Sequence, residues 1–453
     1  MKRARARRLE RADKRHVWHP FTQMRDWERE RAVIIERAKG NYLYDTDGYR
    51  YLDGVSSLWC NVHGHRVPEL DRAVRRQLDR VAHSTFLGLS NVPAVELAER
   101  LARIAPRGLT RVFYADSGSA AVEIALKMAY QACQLRGLRD KKTFLRLTDA
   151  YHGDTIGSVS VGGIELFHEI FHPLLFKTYA VKGPYRYRDT YRGPESGYAE
   201  HCAMRVERIL RRHHRKIAAL VVEPLVQGAA GMLTHPRGYL RRLRQLTRKY
   251  GVYLIADEVA TGFGRTGKMF ACEREGVRPD FLCLAKGLTG GYLPLSATLT
   301  TEEVYRTFLG EYGEFKAFFH GHTYTANPLA CAAALASLDV FERRGVIRGL
   351  DAKIGVLKAG LRTLAGLDHV GDTRQVGLMA GVELVRDKRT REPYPLTEKR
   401  GARVCLAARR QGVMLRPLGN VVVLLPPLSI TAPELRRLLS VVERCIHEVT
   451  GER

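Results

Sequence analysis

The chain has no apolar run approaching the roughly 20 residues that a membrane span requires, so no membrane partner is expected. It has no C-x-x-C pair either; its eight cysteines stand at irregular spacings, several of them inside apolar runs. That pattern excludes a zinc ribbon and a dense disulfide framework, and it fits buried, reduced thiols in a cytoplasmic protein. Two His-x-His pairs, His63 with His65 and His320 with His322, have no cysteine or acid at ligand spacing. No metal is expected. The first sixteen residues hold eight Lys or Arg but no apolar core behind them, which excludes a secretory signal. Residues 1–15 read as a frayed, solvated tail. Internal repeats and low-complexity linkers are also missing, which excludes solenoids. Acids are the scarcer charge: 48 Asp and Glu face 74 Lys and Arg, a formal net charge of +26. The excess is spread along helix-like stretches such as RRLRQLTRK (241–249), each a solvated face, so no nucleic-acid partner is expected.

What is present is alternation. From about residue 95 to 340, strand-like apolar runs (TRVFYAD, KIAALVVEPLV, VYLIADEV, DFLCLAKGL) alternate with amphipathic ones (SAAVEIALKMAYQA, YLRRLRQLTRKYG). Such alternation predicts an α/β domain around a mostly parallel sheet. The flanks differ. Residues 41–54 carry β-patterned pieces around an Asp-Gly turn, and residues 413–430 carry two strand-like runs around a Gly-Asn turn. We read residues 66–335 as the large domain, and residues 16–65 and 336–453 as the two parts of one smaller α+β domain.

Two strand ends carry opposite charges. Asp257 closes VYLIAD, and Lys286 closes FLCLAK 29 residues later, each followed by glycines that permit close backbone approach. Taken singly, either is as well explained by a helix cap, a solvated turn or a snorkelling side chain. Taken together, they place an amine and a carboxylate at the edge where open α/β sheets put ligands. Pyridoxal phosphate needs both groups, an amine for its aldehyde and a carboxylate for its pyridine nitrogen. Its phosphate needs a helix N-terminus, which Ser117, Gly118 and Ser119 open. Tyr151 in AYHGDTIGS could stack on the ring, while His152 and Asp154 could merely close a turn.

DEVATGFGRTGKMF, with Lys286 in FLCLAKGLTGGYLPLSA, resembles the motif of the class III aminotransferases, pyridoxal-phosphate enzymes of fold type I. The order SGS, YHGDT, VVEP, DEV, K and HGHTYTANPLACA is also similar, and the resemblance runs from about residue 16 to 445. It implies that Lys286 holds the cofactor and moves a proton, and that Asp257 keeps the pyridine nitrogen protonated. Gly118 and Ser119 would bind the phosphate, with His322 and Thr323 reaching across from the second subunit of a homodimer, and Tyr151 would border the ring. HVWHPFTQM, VSSLWCNVHGH and YHGDT are similar to one branch of the family, which aminates 8-amino-7-oxononanoate in biotin synthesis, usually at the expense of S-adenosylmethionine. By that resemblance Phe21, Leu58, Trp59 and Gly321 border the substrate, and Arg416 grips its carboxylate. Leu58, Phe21 and His322 depart from the commoner Trp, Tyr and Pro of the branch, which leaves lysine open as the amino donor.

Overall fold

The computed structural model describes residues 2–451. Its centre is a seven-stranded sheet in the order Leu109–Ala115, Ser296–Thr301, Phe281–Leu284, Tyr253–Asp257, Ile217–Val222, Thr143–Leu147, Tyr179–Val181. Only Ser296–Thr301 runs antiparallel to its neighbours. The sheet is mixed and mostly parallel, as the alternating pattern predicts.

The central strands are buried on both faces, which is why they read as continuous apolar runs rather than alternating ones. Along Ile217–Val222 every residue is buried. Leu220, Val222, Leu254, Ala256, Leu282 and Leu284 join one core cluster, whereas Ala219, Val221, Ile255, Phe281 and Cys283 join the other. The period-two alternation of a strand sorts them. The second face is covered by the helix Gly118–Leu135, whose buried Ala120, Ala121, Ala125, Ala129 and Ala132 let its axis approach the sheet closely.

Both chain ends build a second layer. Ile35–Lys39, Tyr42–Asp45 and Arg50–Asp53 form an antiparallel meander, and Val413–Met414 adds to it in parallel beside Arg50–Asp53. A separate sheet takes Val370–Val376, Met379–Asp387, Val421–Leu424 and Arg416–Leu418.

The basic start differs from expectation. In place of a frayed tail, Lys2–His16 is a helix. Ala6 is buried, Glu10 Oε1 accepts from the Ala32 N–H at 3.1 Å, and Asp13 Oδ2 accepts from Trp27 Nε1 at 2.9 Å. Two acids on one helix face therefore anchor a segment whose arginines look outward. All eight cysteines are free, and among the described residues no group of three or more His, Cys, Asp or Glu is placed to hold a metal ion. No helix of the described residues is long and apolar enough to cross a membrane.

Candidate active site

Strand register brings the two charged ends together. Tyr253–Asp257 and Phe281–Leu284 are parallel neighbours with Asp257 opposite Cys283, so Asp257 and Lys286 leave the same edge of the sheet. Lys286 takes a left-handed backbone conformation, φ 46°, a strained state that persists only when its surroundings dictate it. Both residues line a cavity of about 660 Å³, with Trp59, Gly118, Ser119, Tyr151, His152 and Glu223 among the other walls. Lys286 Nζ stands 5.1 Å from the centroid of the Trp59 ring.

Asp257 is 4% exposed and fully engaged. Its Oδ2 pairs with His152 Nδ1 at 2.7 Å and its Oδ1 accepts from the Val259 N–H at 3.0 Å. Glu223, 5% exposed, accepts from the Tyr151 N–H at 3.0 Å and from the Gly228 N–H at 2.9 Å. No ion pair reaches Glu223 among the described residues, and burial pushes its carboxyl up to about 7. Burial also pulls the Lys286 ammonium down, against the opposing pull of Asp257 and Glu223. The cavity thus favours an amine that gives up its proton readily.

On the other side the helix Gly118–Leu135 points its N-terminus at the cavity. Ser117 caps it, its side chain accepting from the Ala120 N–H at 3.2 Å. The first free N–H groups and the positive end of the helix dipole suit an anion. Gly118 needs its bare Cα, because a Cβ there would lie 2.6 Å from Val259 Cγ1.

The structure brings half of the expected residues together in the cavity and leaves the other half, Phe21 and Arg416 included, outside its walls. Lys286, Asp257, Tyr151, Trp59, Gly118 and Ser119 share the cavity. Tyr151 directs its hydroxyl to Asp154 Oδ2 at 2.7 Å. Arg416 lies with its guanidinium 5.7 Å from the Phe21 ring centroid, close enough to Tyr151 for the two to interact electrostatically. Leu58 is 52% exposed, outside the cavity walls. Gly321, His322 and Thr323 are exposed and line no part of it, although His322 Nδ1 pairs with Asp116, a wall residue, at 3.1 Å. Sequence reasoning missed His152 as the partner of Asp257, and it gave Glu223 and Val259 no role. The only signal was for Glu223, an acid directly after an apolar run; Val259 acts through its backbone N–H, which no side-chain pattern marks.

An amine, a buried carboxylate and an anion-ready helix start around one cavity define an aminotransferase-type site, and the chain belongs to the family Aminotransferase class-III, which matches residues 24–446. Pyridoxal 5′-phosphate is the cofactor of that class and of this chain, and the residues present fit it in kind: amine, carboxylate and phosphate-ready N–H groups. The adenosylmethionine-8-amino-7-oxononanoate aminotransferase of Nitratidesulfovibrio vulgaris is 58% identical over 453 residues, covering 99% of this chain and 83% of that protein. The crystal structure of the enzyme so named from Methanocaldococcus jannaschii matches with a TM-score of 0.93 at 47% identity, covering 98% of this chain and 99% of that one. An (S)-enantioselective omega-transaminase from Thermomicrobium roseum matches with a TM-score of 0.94 at 36% identity, over 98% of both chains.

Proposed function

We propose that this aminotransferase transfers an amino group to 8-amino-7-oxononanoate, yielding 7,8-diaminononanoate for biotin synthesis, with S-adenosylmethionine as donor. Arg416 is the observation that carries the reading. Its guanidinium is partly buried beside Tyr151 and Phe21, and among the described residues it makes no hydrogen bond or ion pair. A guanidinium in that state calls for a carboxylate, which it can hold by two parallel hydrogen bonds. The acceptor has one, at the far end of an aliphatic chain that Phe21 and Trp59 would flank. The relatives named for this reaction support the same substrate.

Bound pyridoxal phosphate supplies an aldehyde that captures amines and a protonated ring that draws electrons from the adjoining carbon. Lys286 would hold that aldehyde carbon. Once displaced, its amine, whose hold on a proton burial weakens, takes the proton from the donor α-carbon and later returns one to the acceptor carbon. Asp257, oriented by His152 and by the Val259 N–H, holds the pyridine proton in place. Gly118 and Ser119 bind the phosphate at the helix start, and Tyr151 borders the ring.

Thr323, His322 and Gly321 are exposed in the single chain, in keeping with a homodimer in which each subunit completes the other's site. We place the enzyme in the cytoplasm. The test is direct: purified protein is given 8-amino-7-oxononanoate with S-adenosylmethionine or with lysine, and diaminononanoate is assayed. Product with S-adenosylmethionine supports the proposal. Product with lysine alone moves the donor, and turnover only with simple ω-amines refutes it.

A further inference from the structure

Arg265 carries a guanidinium that is 1% exposed, in the glycine-rich loop that follows Asp257. Among the described residues no carboxylate pairs with it, and its Nε has no partner. Asp53 acts on it only from a distance, because its oxygens are taken by Ser57 and His65. A buried cation without a counter-charge is costly, so what it does hold matters. It holds backbone. Nη1 donates to the Pro426 carbonyl at 2.7 Å, and Nη2 donates to the carbonyls of Asn61 at 2.9 Å and Trp59 at 3.4 Å. One side chain thus ties the loop after Asp257 to segments from both ends of the chain.

The N-terminal tie is to a strained turn. Ser56, Ser57 and Trp59 have φ of 51°, 60° and 63°, and Ser57, with ψ −84°, lies near a rare γ-turn geometry. Such strain persists only where the surroundings dictate it. Two other bonds help: the Ser57 N–H donates to Asp53 Oδ1 at 2.8 Å, and Ser56 Oγ donates to the Leu425 carbonyl at 2.7 Å. The turn delivers the Trp59 ring to the Lys286 amine, which lies 5.1 Å from the ring centroid. The ring has no slack on its Gly228 side, where a Cβ would lie 3.2 Å from Trp59 Cζ3. A point charge in place of the guanidinium would not serve. At Lys141 three carbonyls converge on one nitrogen, those of His214, Ile217 and Gly251 at 3.0, 2.9 and 2.8 Å. Around Arg265 the carbonyls are divided between two limbs of a fork, which an ammonium cannot span.

We propose that Arg265 is a positioning residue for Lys286: its fork grips the strained turn at 56–59 and so keeps the Trp59 ring against the amine. Burial is the main cause of the weakened hold of Lys286 on a proton, and Trp59 supplies part of that cover. The inference rests on Lys286 being the working amine of the site, and it is independent of which substrates the enzyme takes.

The test uses the full chain with Trp18 and Trp27 replaced by Phe, which leaves Trp59 as the sole tryptophan. In apoprotein resolved from the holoenzyme, Trp59 should be poorly quenched by acrylamide, and Arg265→Lys should raise its quenching severalfold. Single-turnover rates of both half-reactions, with substrates the wild type accepts, should fall roughly 10- to 100-fold in Arg265→Lys, because Lys286 serves both. Ser57→Gly, added to Arg265→Lys, should recover part of the shielding and of the rate, since glycine takes this φ without strain. Val404→Ala, which empties a buried position outside the cavity walls, should lower stability and leave Trp59 shielded. Trp59 equally shielded in Arg265→Lys, equally quenched in Val404→Ala, a rate loss confined to one half-reaction, or no recovery with Ser57→Gly overturns the proposal. If Arg265→Lys does not fold, hydrogen exchange in the wild type decides. The Trp59 and Asn61 N–H groups should then exchange as slowly as those of Ile217–Val222, and fast exchange overturns the locked turn. An absorption band with pyridoxal phosphate that survives Lys286→Ala overturns instead the reading of Lys286 beneath the proposal, whatever the quenching shows.

Discussion

Replacing Glu223 by glutamine removes a titratable carboxyl from the cavity wall while keeping the shape of the side chain. Wild-type Glu223 accepts two backbone N–H groups, and burial raises its carboxyl from the ordinary 4.5 to about 7. The folded chain therefore holds this proton at pH values where the unfolded chain has released it. Stability from this source is complete below pH 4.5, declines as the pH rises, and is lost above pH 7. Moving one carboxyl that far is worth roughly 3 kcal/mol. Glutamine has a single acceptor oxygen for two donors, so the variant carries a constant penalty of about 1–3 kcal/mol for an unsatisfied buried N–H. The wild type should be the more stable protein near pH 5. Its margin should shrink with rising pH and reverse or vanish by pH 8. Urea midpoints of the two apoproteins, at one protein concentration and several pH values, measure this directly. Curves that stay parallel from pH 4.5 to 8 would refute a buried, proton-holding Glu223.

Three further outcomes follow from the site. Lys286→Ala should abolish the absorption band that appears when wild-type protein takes up pyridoxal phosphate, while the variant still retains the phosphate-bearing ligand on dialysis longer than it retains pyridoxal. Arg416→Ala removes a charged, bidentate grip, so kcat/KM for 8-amino-7-oxononanoate should fall about 10²-fold. Single-turnover measurement of each half-reaction should show a smaller loss with the donor. In Gly118→Ala the new methyl meets Val259 Cγ1 at 2.6 Å, and Val259 carries the N–H that holds Asp257. Overpacking of about 1–3 kcal/mol there should weaken cofactor binding by about 5- to 150-fold in an equilibrium titration.

Much of the architecture is local in origin and was legible in order along the chain. The strands reaching Ala115, Val222, Asp257 and Leu284 announce themselves as short apolar runs because both faces of the sheet are covered. The glycines after Asp257 and Lys286 mark where the backbone must turn sharply beside a ligand. Basic residues at the start, by contrast, misled: charge composition pointed to a solvated tail, and only the contacts of Glu10 and Asp13 with residues 19–32 show why that segment holds a helix.

By itself, then, the sequence determined which residues end strands, which open the helix at Gly118, and that an acid and an amine each close an apolar strand. Tertiary structure alone decided the pairings across long stretches of chain. It set His152 against Asp257, 105 residues away, made Glu223 the tie between Tyr151 and Gly228, carried Arg416 over Phe21, and aligned Glu123 with Thr155 and Ser119. Periodicity records how each residue faces its immediate neighbours, whereas proximity between distant residues depends on strand order and on how loops close, and a period carries no record of either.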